Sequence, residues 1–303
     1  MRVLVTGAAG FVGSQVVRIL VREGHQVYAA VRRQRVRLDE MAAVQHMSSC
    51  DLGDPSQVER LVSESSPELC IHCAWFAVPG EYLHSPENAR HRRAGMELAH
   101  SLARAGCRRF LGAGTCLEYA PSNEPLSETS PTEPASPYAE SKLGLFHDLQ
   151  ALGRETGVGI AWGRLFYLYG PHEDPRRLVP SVILSLLAGR PARTTAGEQV
   201  RDFLHVEDVA SALVSVALSD VVGAVNIASG QPLTVRDLVM RIGKMIGRPE
   251  LLELGAVPYP PVERMVIRAD NGRLVDECGW APRLTLEEGL EQTVGWWRNR
   301  PHP

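Results

Sequence analysis

The chain has 303 residues, of which 44% are hydrophobic and 22% are charged, and its formal net charge at pH 7 is -3. This balance excludes a fibrous, a disordered or a disulfide-scaffold chain, and it gives no reason to expect a nucleic acid or an anionic membrane as partner. The length predicts about two domains, or one large α/β unit with an appended lobe.

The N-terminal half alternates apolar runs with amphipathic stretches, which is typical of a doubly wound parallel sheet with helices on both faces. The predicted strands span residues 3–5, 27–31, 44–47, 69–74 and 109–112. The predicted helices follow the first strand to about residue 24, span 55–65 and 87–105, and run from 137 to about 156. We therefore expect a Rossmann fold in residues 1–165.

After residue 165 the pattern loosens, because Pro180, Pro191 and the proline-rich stretch 258–261 interrupt it. Residues 166–200 and 229–303 are predicted to form a smaller C-terminal substrate-binding lobe. Between these two segments the chain is expected to return to the first domain at about 201–228. The return would comprise a helix at 206–218 and a strand at 224–227.

Two features bear on location and on metals. No apolar run reaches the length of about 18 residues that a membrane span needs, and the chain start turns directly into a Gly-rich loop, so a cytoplasmic protein is expected. The six cysteines show no repeated spacing and are interpreted as reduced, mostly buried thiols. Cys70, His72 and Cys73 lie close in sequence, but in a strand the third would face away from the other two. We predict no metal site.

A Gly-rich loop joins the first predicted strand to the first helix. Gly7, Gly10 and Gly13 allow a tight turn, close approach of a pyrophosphate and close helix packing. Phe11 and Val12 open the helix, whose N-terminus would face the phosphates. A tight turn needs glycine even without a ligand, but the position between strand and helix favours nucleotide binding.

The residues after the second and third strands indicate which nucleotide. Asp51 and Leu52 would lie near the adenine, with an N-cap or turn role as the alternative. An acid at the end of the second strand binds ribose hydroxyls, whereas an arginine accepts a 2′-phosphate. Here Arg32 and Arg33 follow the strand and the acid is missing. A solvated basic loop is the alternative, but the combination favours NADP(H) over NAD(H) as cofactor.

Tyr138 and Lys142 are four residues apart in a predicted helix and therefore share one face. A phenol with a pKa of about 10 is a poor acid-base group near neutrality, and a nearby cation favours phenolate and lowers that pKa. Such pairs also occur by chance on solvated helices, so the Gly-rich loop is what favours the chemical interpretation.

With these motifs the sequence resembles the extended short-chain dehydrogenase/reductases, in particular the nucleotide-sugar epimerases, dehydratases and reductases. The resemblance covers nearly the whole chain. The matching motifs are the Gly-rich loop Gly7, Gly10 and Gly13, the Ser/Thr position Thr115, the pair Tyr138 and Lys142, and the stretches 201–209 and 279–282.

The resemblance implies a role for each reacting residue. Tyr138 would be the acid-base group, and Lys142 would bind the nicotinamide ribose and lower the tyrosine pKa. Thr115 would hydrogen-bond the reacting oxygen. Arg201 would contact the substrate diphosphate, with a salt bridge, for instance to Asp208, as the alternative. A homodimer is also expected, formed through helices that include the one carrying Tyr138.

Further contacts are expected from the loops. Ala74 would contact the cofactor after the fourth strand, and the adjacent Trp75 and Phe76 would either wall the sugar pocket or pack into the core. Tyr167 stands where the family usually carries an asparagine. The expected substrate contacts are Trp75, Thr115, Cys116, Glu118, Tyr167 and Arg201. Looser pocket candidates, for which a surface role is the preferred interpretation, are Tyr82, His84, His172 and Glu173.

Three reactions share this machinery. In the 4,6-dehydratases an Asp-Glu pair follows the Ser/Thr; Cys116 and Leu117 stand there instead, and Glu118 lies one residue too late. An epimerase retains its cofactor and usually carries the acid that selects NAD, whereas a reductase draws on NADPH. We therefore predict NADPH-dependent reduction of a nucleotide-linked 4-keto-6-deoxyhexose, with Tyr138 as proton donor. A 4-epimerase is the alternative; a non-catalytic NADP-binding protein conflicts with the intact Thr115, Tyr138 and Lys142.

Overall fold

The computed structural model describes residues 1–32, 44 and 46–300. Its strands are β1 (Arg2–Thr6), β2 (Gln26–Val31), β3 (His46–Ser49), β4 (Leu69–His72), β5 (Arg109–Thr115), β6 (Gly159–Leu165), β7 (Tyr167–Tyr169), β8 (Ala192–Arg193), β9 (Val200–His205), β10 (Gly223–Ile227), β11 (Pro232–Thr234), β12 (Leu252–Glu253) and β13 (Val266–Ile267). Its α-helices are α1 (Phe11–Arg22), α2 (Pro55–Ser65), α3 (Glu87–Arg104), α4 (Pro137–Thr156), α5 (Leu178–Leu187), α6 (Val206–Leu218), α7 (Val235–Ile246), α8 (Gly272–Cys278) and α9 (Leu286–Arg298).

The central sheet contains, within the described residues, seven parallel strands in the order β10-β6-β5-β4-β1-β2-β3. Helices α1 and α6 pack on one face, and α2, α3 and α4 pack on the other. The predicted doubly wound Rossmann fold is therefore confirmed. The strand order reverses between β1 and β4, and the carboxyl ends of such strands open the crevice where ligands bind in this class of fold.

One strand of the sheet, β6, is absent from the sequence-based expectation. Its sequence contains two glycines and Arg164, which weaken the apolar pattern that predicts a buried strand. Gly163 lets α6 pack closely on the strand, because a Cβ would lie 2.6 Å from a methyl carbon of Leu213. Arg164 is tolerated because a carboxylate elsewhere in the chain neutralises it, which a local pattern does not reveal.

The smaller lobe is built on a second sheet in which β9 pairs with β7, β11 and β13. Helices α5, α7 and α9 form its apolar core. Because residues 200–205 are β9, the chain re-enters the Rossmann domain with α6 at Val206 and completes that sheet with β10. The chain therefore passes between the Rossmann domain and the lobe at three points, from β6 to β7, from β9 to α6 and from β10 to β11.

The cysteines are unpaired and mostly buried, as the sequence predicts. All six cysteines are free thiols, and Cys70 lies fully buried in β4. Among the residues described, no group of His, Cys, Asp and Glu side chains could hold a metal ion. Within the same described residues, no helix is both long enough and apolar enough to cross a membrane.

Candidate active site

A cleft of about 1020 Å³ opens at the carboxyl ends of β1, β2 and β4, where the strand order reverses. The predicted cofactor contacts that line it are Gly7, Gly10, Arg32, Asp51, Leu52 and Ala74. Arg33 lies outside the described residues. The structure thus brings together, around one crevice, residues that the sequence separates by up to 67 positions.

The end of α1 that borders this cleft is suited to a pyrophosphate. Its N-cap, Gly10, makes no side-chain cap, and the first turn carries no acidic residue. The backbone N–H groups at Phe11 and Val12 are therefore left for an anion, and the helix dipole adds to the attraction. Phe11 and Val12 do not themselves line the cleft, which Gly7, Ala9 and Gly10 border, so any contact that they make would come from these backbone N–H groups.

The glycines of the loop are demanded by packing. A Cβ on Gly13 would lie 2.2 Å from the Gly7 carbonyl oxygen, which would push α1 off the loop. Gly7 has φ +67°, and a Cβ there would lie 2.7 Å from the Ala74 nitrogen. The bare backbone therefore holds the ends of β1 and β4 together at the crevice.

A hydrogen-bonded pair joins the same two strand ends beneath the cleft. The Thr6 hydroxyl lies 2.7 Å from His72 Nδ1, and the Cys73 nitrogen donates to the Thr6 carbonyl at 3.1 Å. Burial lowers the pKa of His72 to about 3, so the imidazole is neutral at physiological pH. His72 therefore acts as a structural residue in the switch-point strands.

Asp51 and Asp54 lie in the turn after β3 and make different hydrogen bonds. Asp54 is the N-cap of α2 and accepts from the Ser56 and Gln57 nitrogens. Asp51 forms a turn in which its Oδ1 accepts from the Gly53 nitrogen at 3.0 Å, and it lines the cleft. The capping role thus falls on Asp54, and Asp51 borders the cleft with Arg32.

The three predicted reacting residues meet at the carboxyl end of β5. Thr115 ends that strand, and its side chain lies close enough to the Tyr138 phenol to favour the phenolate and so to lower the pKa of that phenol. Tyr138 lies in the first turn of α4, after the N-cap Ser136, and Lys142 follows one turn later. Lys142 is 4% exposed, and its Nζ donates to the Ala113 carbonyl at 2.6 Å.

The protonation of this cluster differs from the sequence-based expectation. Burial is the largest influence on Tyr138 and raises its pKa above the ordinary value, against a lowering contribution from Thr115. Lys142 is not among the main influences on that pKa; its ammonium donates to the Ala113 carbonyl and lies 5.9 Å from the Tyr138 ring centre. The Tyr138 phenol is therefore protonated at neutral pH and carries a proton that it can donate.

Trp75 forms a wall between the cleft and the reacting residues. The Lys142 ammonium lies 3.8 Å above the centre of the indole ring, and the Tyr138 ring lies edge-on at 6.3 Å. Burial lowers the pKa of Lys142 to about 7, whereas contact with an indole face stabilises the charged form by about 0.5–2 kcal/mol. Trp75 is partly exposed and lines the cleft with Phe76, so neither ring is simply core.

Asn88, at the start of α3, holds this wall in place. Its Oδ1 accepts from the Trp75 indole nitrogen at 2.9 Å, and its Nδ2 donates to the carbonyls of Tyr82 and Ser85 at 2.6 and 2.9 Å. The side chain is 1% exposed, so no solvent replaces these bonds. Sequence reasoning does not single out Asn88, since two of its partners are loop backbone carbonyls and the third is an indole 13 positions away.

Asn88→Ala is expected to lower the free energy of unfolding by about 2–4 kcal/mol, since each buried polar group left unpaired costs about 1–3 kcal/mol. Urea denaturation followed by circular dichroism measures the change. The matched control is Asn123→Ala, an exposed loop asparagine that should stay within about 0.5 kcal/mol of the parent protein. Equal stability of the two variants would contradict the role of Asn88.

The Glu118 carboxylate is buried and accepts hydrogen bonds from three groups of the protein interior. Its Oε1 accepts from the Thr115 nitrogen and the Trp162 indole nitrogen at 2.9 and 3.0 Å, and its Oε2 accepts from Arg164 Nε at 2.8 Å. Gly112 and Gly114 leave room for that indole, since a Cβ on either would lie within 2.3 Å of Trp162. The expectation that Glu118 contacts the substrate does not agree with this arrangement, because the carboxylate is fully buried.

Cys116 lies beside the reacting residues as a buried thiol. It is 4% exposed and packs with Tyr119 and Phe166 in an apolar cluster. Burial raises the pKa of the thiol to about 12, so it does not ionise at neutral pH. A neutral thiol can border a substrate but supplies neither a strong acid nor a base.

Tyr167 and Arg201 approach the reacting residues from the lobe. The Arg201 guanidinium carbon lies 5.1 Å above the Tyr167 ring, and Nη1 donates to the Val200 carbonyl at 2.8 Å. Arg201 forms an ion pair with Glu263, a residue that sequence reasoning does not identify. The suggested pairing with Asp208 is wrong, because that carboxylate accepts from the backbone nitrogens of residues 283 and 284.

One of the four looser candidates, Tyr82, lies beside a reacting residue. Tyr82 lies edge-on to Tyr138 with ring centres 4.9 Å apart. His84 is exposed, and the His172 ring packs on Trp296 at 4.4 Å. Glu173 is buried, which raises its pKa to about 8 and leaves it largely protonated at pH 7.

The crevice at the switch point, with its phosphate-binding loop and the adjacent Thr-Tyr-Lys cluster, defines a dinucleotide-binding enzyme of the Rossmann class. Residues 3–228 match the family described as NAD dependent epimerase/dehydratase family. The chain belongs to that family, which confirms the resemblance to the extended short-chain dehydrogenase/reductases that act on nucleotide sugars.

Individual relatives match this chain over nearly its full length. A UDP-glucose 4-epimerase of Mycolicibacterium smegmatis is 30% identical, with 99% of each chain covered. The structure of a Thermotoga maritima UDP-glucose 4-epimerase with UDP-glucose has a TM-score of 0.88 at 26% identity, covering 98% of this chain and 99% of that one. The UDP-glucose 4-epimerase of Thermus thermophilus in complex with NAD gives 0.87 at 28% identity, covering 99% of both.

Proposed function

We propose that the protein is an NADPH-dependent reductase of a nucleotide-linked 4-keto-6-deoxyhexose. The observation that carries this choice is the end of β2, where Arg32 borders the cleft and no carboxylate stands at residues 31–32. A guanidinium at this point favours a 2′-phosphate, whereas NAD-selective relatives of this fold use an acid for the ribose. A reductase consumes its cofactor in every turnover, which suits NADPH.

The residues of the chain divide the work of this reaction. The amides at the start of α1, together with Arg32 and Asp51, would hold the dinucleotide. When bound, the cofactor supplies a hydride to the carbonyl carbon of the sugar. Tyr138 donates its proton to the carbonyl oxygen as the alcohol forms, and the Thr115 hydroxyl holds that oxygen in place.

Dehydration is disfavoured by the residues after Thr115. Loss of water needs an added acid and base, and neither the buried Cys116 thiol nor the buried, ion-paired Glu118 is available for that chemistry. A 4-epimerase remains the second candidate, because the 30% identical relative is a UDP-glucose 4-epimerase. A homodimer formed through helices that include α4 is part of the proposal.

The direct test offers the purified protein dTDP-, CDP- and GDP-linked 4-keto-6-deoxyhexoses with NADPH or NADH, and follows oxidation of the reduced nicotinamide. The proposal expects NADPH to be consumed in step with at least one ketosugar. A parallel sample with UDP-glucose and no added cofactor tests epimerisation by the appearance of UDP-galactose. Epimerisation in that sample with no NADPH oxidation in the others would replace the proposal by its alternative.

Arg32→Asp is expected to shift the ratio of kcat/KM for NADPH over NADH by about 10- to 100-fold toward NADH, since a charge-assisted hydrogen bond contributes about 1.5–3 kcal/mol. Steady-state kinetics with both cofactors measures the ratio. Arg18→Asp makes the same charge change on an exposed residue of α1 that does not line the cleft. The same ratio in both variants would remove Arg32 from the cofactor site.

A further inference from the structure

The loop between β4 and α3 is hydrogen-bonded to both α3 and α4 beside the reacting residues. The Tyr82 carbonyl accepts from Asn88 of α3, and the Leu83 carbonyl accepts from the backbone nitrogen of Tyr138 at 3.1 Å. Two successive residues of this loop are therefore tied to the two helices that frame the site. This attachment fixes the Tyr82 side chain beside Tyr138.

Two groups pack against the Tyr82 ring, Tyr138 from the Rossmann domain and Arg177 from the lobe. The Tyr82 and Tyr138 rings are nearly perpendicular, at 85° and 4.9 Å, an attractive edge-to-face geometry. On the lobe side, the Arg177 guanidinium carbon lies 5.0 Å above the Tyr82 ring. Its Nη2 donates to the Ala77 carbonyl at 3.4 Å, and Arg177 forms no ion pair with the residues that the structure describes. A lobe residue therefore clamps the loop that carries Tyr82.

The hydroxyl of Tyr82 is left for a ligand. Within the described part of the chain, no residue makes a hydrogen bond to it. Tyr82 also contributes to raising the pKa of both Tyr138 and Tyr167, so its phenol lies near both of these residues. A phenol both donates and accepts a hydrogen bond, which matches the ring hydroxyls of a sugar.

We propose that Tyr82 is a substrate-specificity residue whose hydroxyl binds a ring hydroxyl of the hexose next to the reacting carbon, and that Arg177 positions it from the lobe. The inference rests on the proposed function in one respect, the presence of a nucleotide-linked hexose in this site. It does not depend on the direction of the reaction or on the choice of cofactor.

Tyr82→Phe is the informative substitution, because it keeps the ring against Tyr138 and Arg177 and removes only the hydroxyl. We expect Kd for a nucleotide hexose, and KM in turnover, to rise about tenfold for the lost hydrogen bond, with Kd for the matching nucleoside diphosphate and for NADPH unchanged. Tyr28→Phe is the control, since Tyr28 lies in β2, stacks on His46 of β3 and does not line the cleft.

Arg177→Met tests the clamp. Because Arg177 acts through Tyr82, the variant should also weaken binding of the hexose ligand, and the double variant Tyr82→Phe/Arg177→Met should bind it no worse than Tyr82→Phe alone. Additive losses would show that Arg177 contacts the ligand by itself and would overturn the positioning role. Circular dichroism and thermal melting of each variant confirm that the fold is retained.

Calorimetric titration with UDP-, dTDP-, GDP- and CDP-glucose, and with the free diphosphates, separates the two proposals. A tenfold loss confined to the hexose ligand supports the role of Tyr82 even if no ketosugar oxidises NADPH. An unchanged ratio of the two Kd values in Tyr82→Phe overturns it even if the wild-type protein proves to be the reductase. If none of these nucleotide sugars binds the wild-type protein, the role of Tyr82 is overturned, whereas the reductase is judged by its own assay with the ketosugars.

Discussion

Tyr138→Phe is expected to lower kcat by about 10²- to 10⁴-fold, the usual contribution of a positioned proton donor. The substitution removes the hydroxyl that faces Thr115 and keeps the ring that packs against Tyr82 and Trp75. Because the cofactor cleft is lined by other residues, Kd for NADPH should change by less than about twofold. Turnover of the ketosugar and a fluorescence titration with NADPH measure the two quantities.

The changes in kcat and in Kd for NADPH have to be compared, because together they distinguish a proton donor from a structural support of the cleft. Tyr259→Phe serves as the control, because its hydroxyl bonds Glu198 in the lobe and should affect neither quantity. If Tyr138→Phe lost turnover and cofactor binding together, the phenol would be a structural support of the cleft. If it lost neither, another group would be the proton donor.

Glu118→Ala is expected to lower the free energy of unfolding by about 3–5 kcal/mol, the cost of leaving a buried charge without its partner. The Arg164 and Glu118 side chains are 3% and 0% exposed, so water cannot replace the missing carboxylate. The same change also frees the Trp162 indole nitrogen and the Thr115 nitrogen. Urea denaturation measures the loss.

The control for this variant is an ion pair of similar geometry at the surface. Arg108 lies 2.9 Å from Glu68 with its side chain 74% exposed, and Arg108→Ala should cost less than about 1 kcal/mol. Comparable losses in the two variants would contradict the structural role given to Glu118. A stable Glu118→Ala protein that had lost activity alone would return Glu118 to the chemistry of the site.

The parts of the fold that local patterns encode were predictable. The strands β1, β2, β4 and β5 and the helices between them follow from apolar periodicity, and the Gly-rich loop follows from its place between a strand and a helix. Tyr138 and Lys142 follow from their spacing on one helical face. These features depend on residues close together in the chain, which is why they can be recognised without the structure.

The features that sequence reasoning missed depend on contacts between distant residues. Glu118 and Arg164 are 46 positions apart, and their pairing explains both the omission of β6 and the loss of Glu118 as a substrate contact. The expected lowering of the Tyr138 pKa likewise assumed that Lys142 would face the phenol. Burial and the Ala113 carbonyl decide that orientation, and spacing along a helix does not predict them.

The central claim is that hydrogen passes from external NADPH to the sugar carbon while Tyr138 supplies the proton. It is tested most directly by NMR analysis of the product formed from a nucleotide-linked 4-keto-6-deoxyhexose with NADPH deuterated at its transferable position. We predict deuterium at C4 of the sugar in nearly every product molecule, with an equal amount of oxidised cofactor. A rearranged sugar without deuterium, formed while the NADPH stays reduced, would contradict the account.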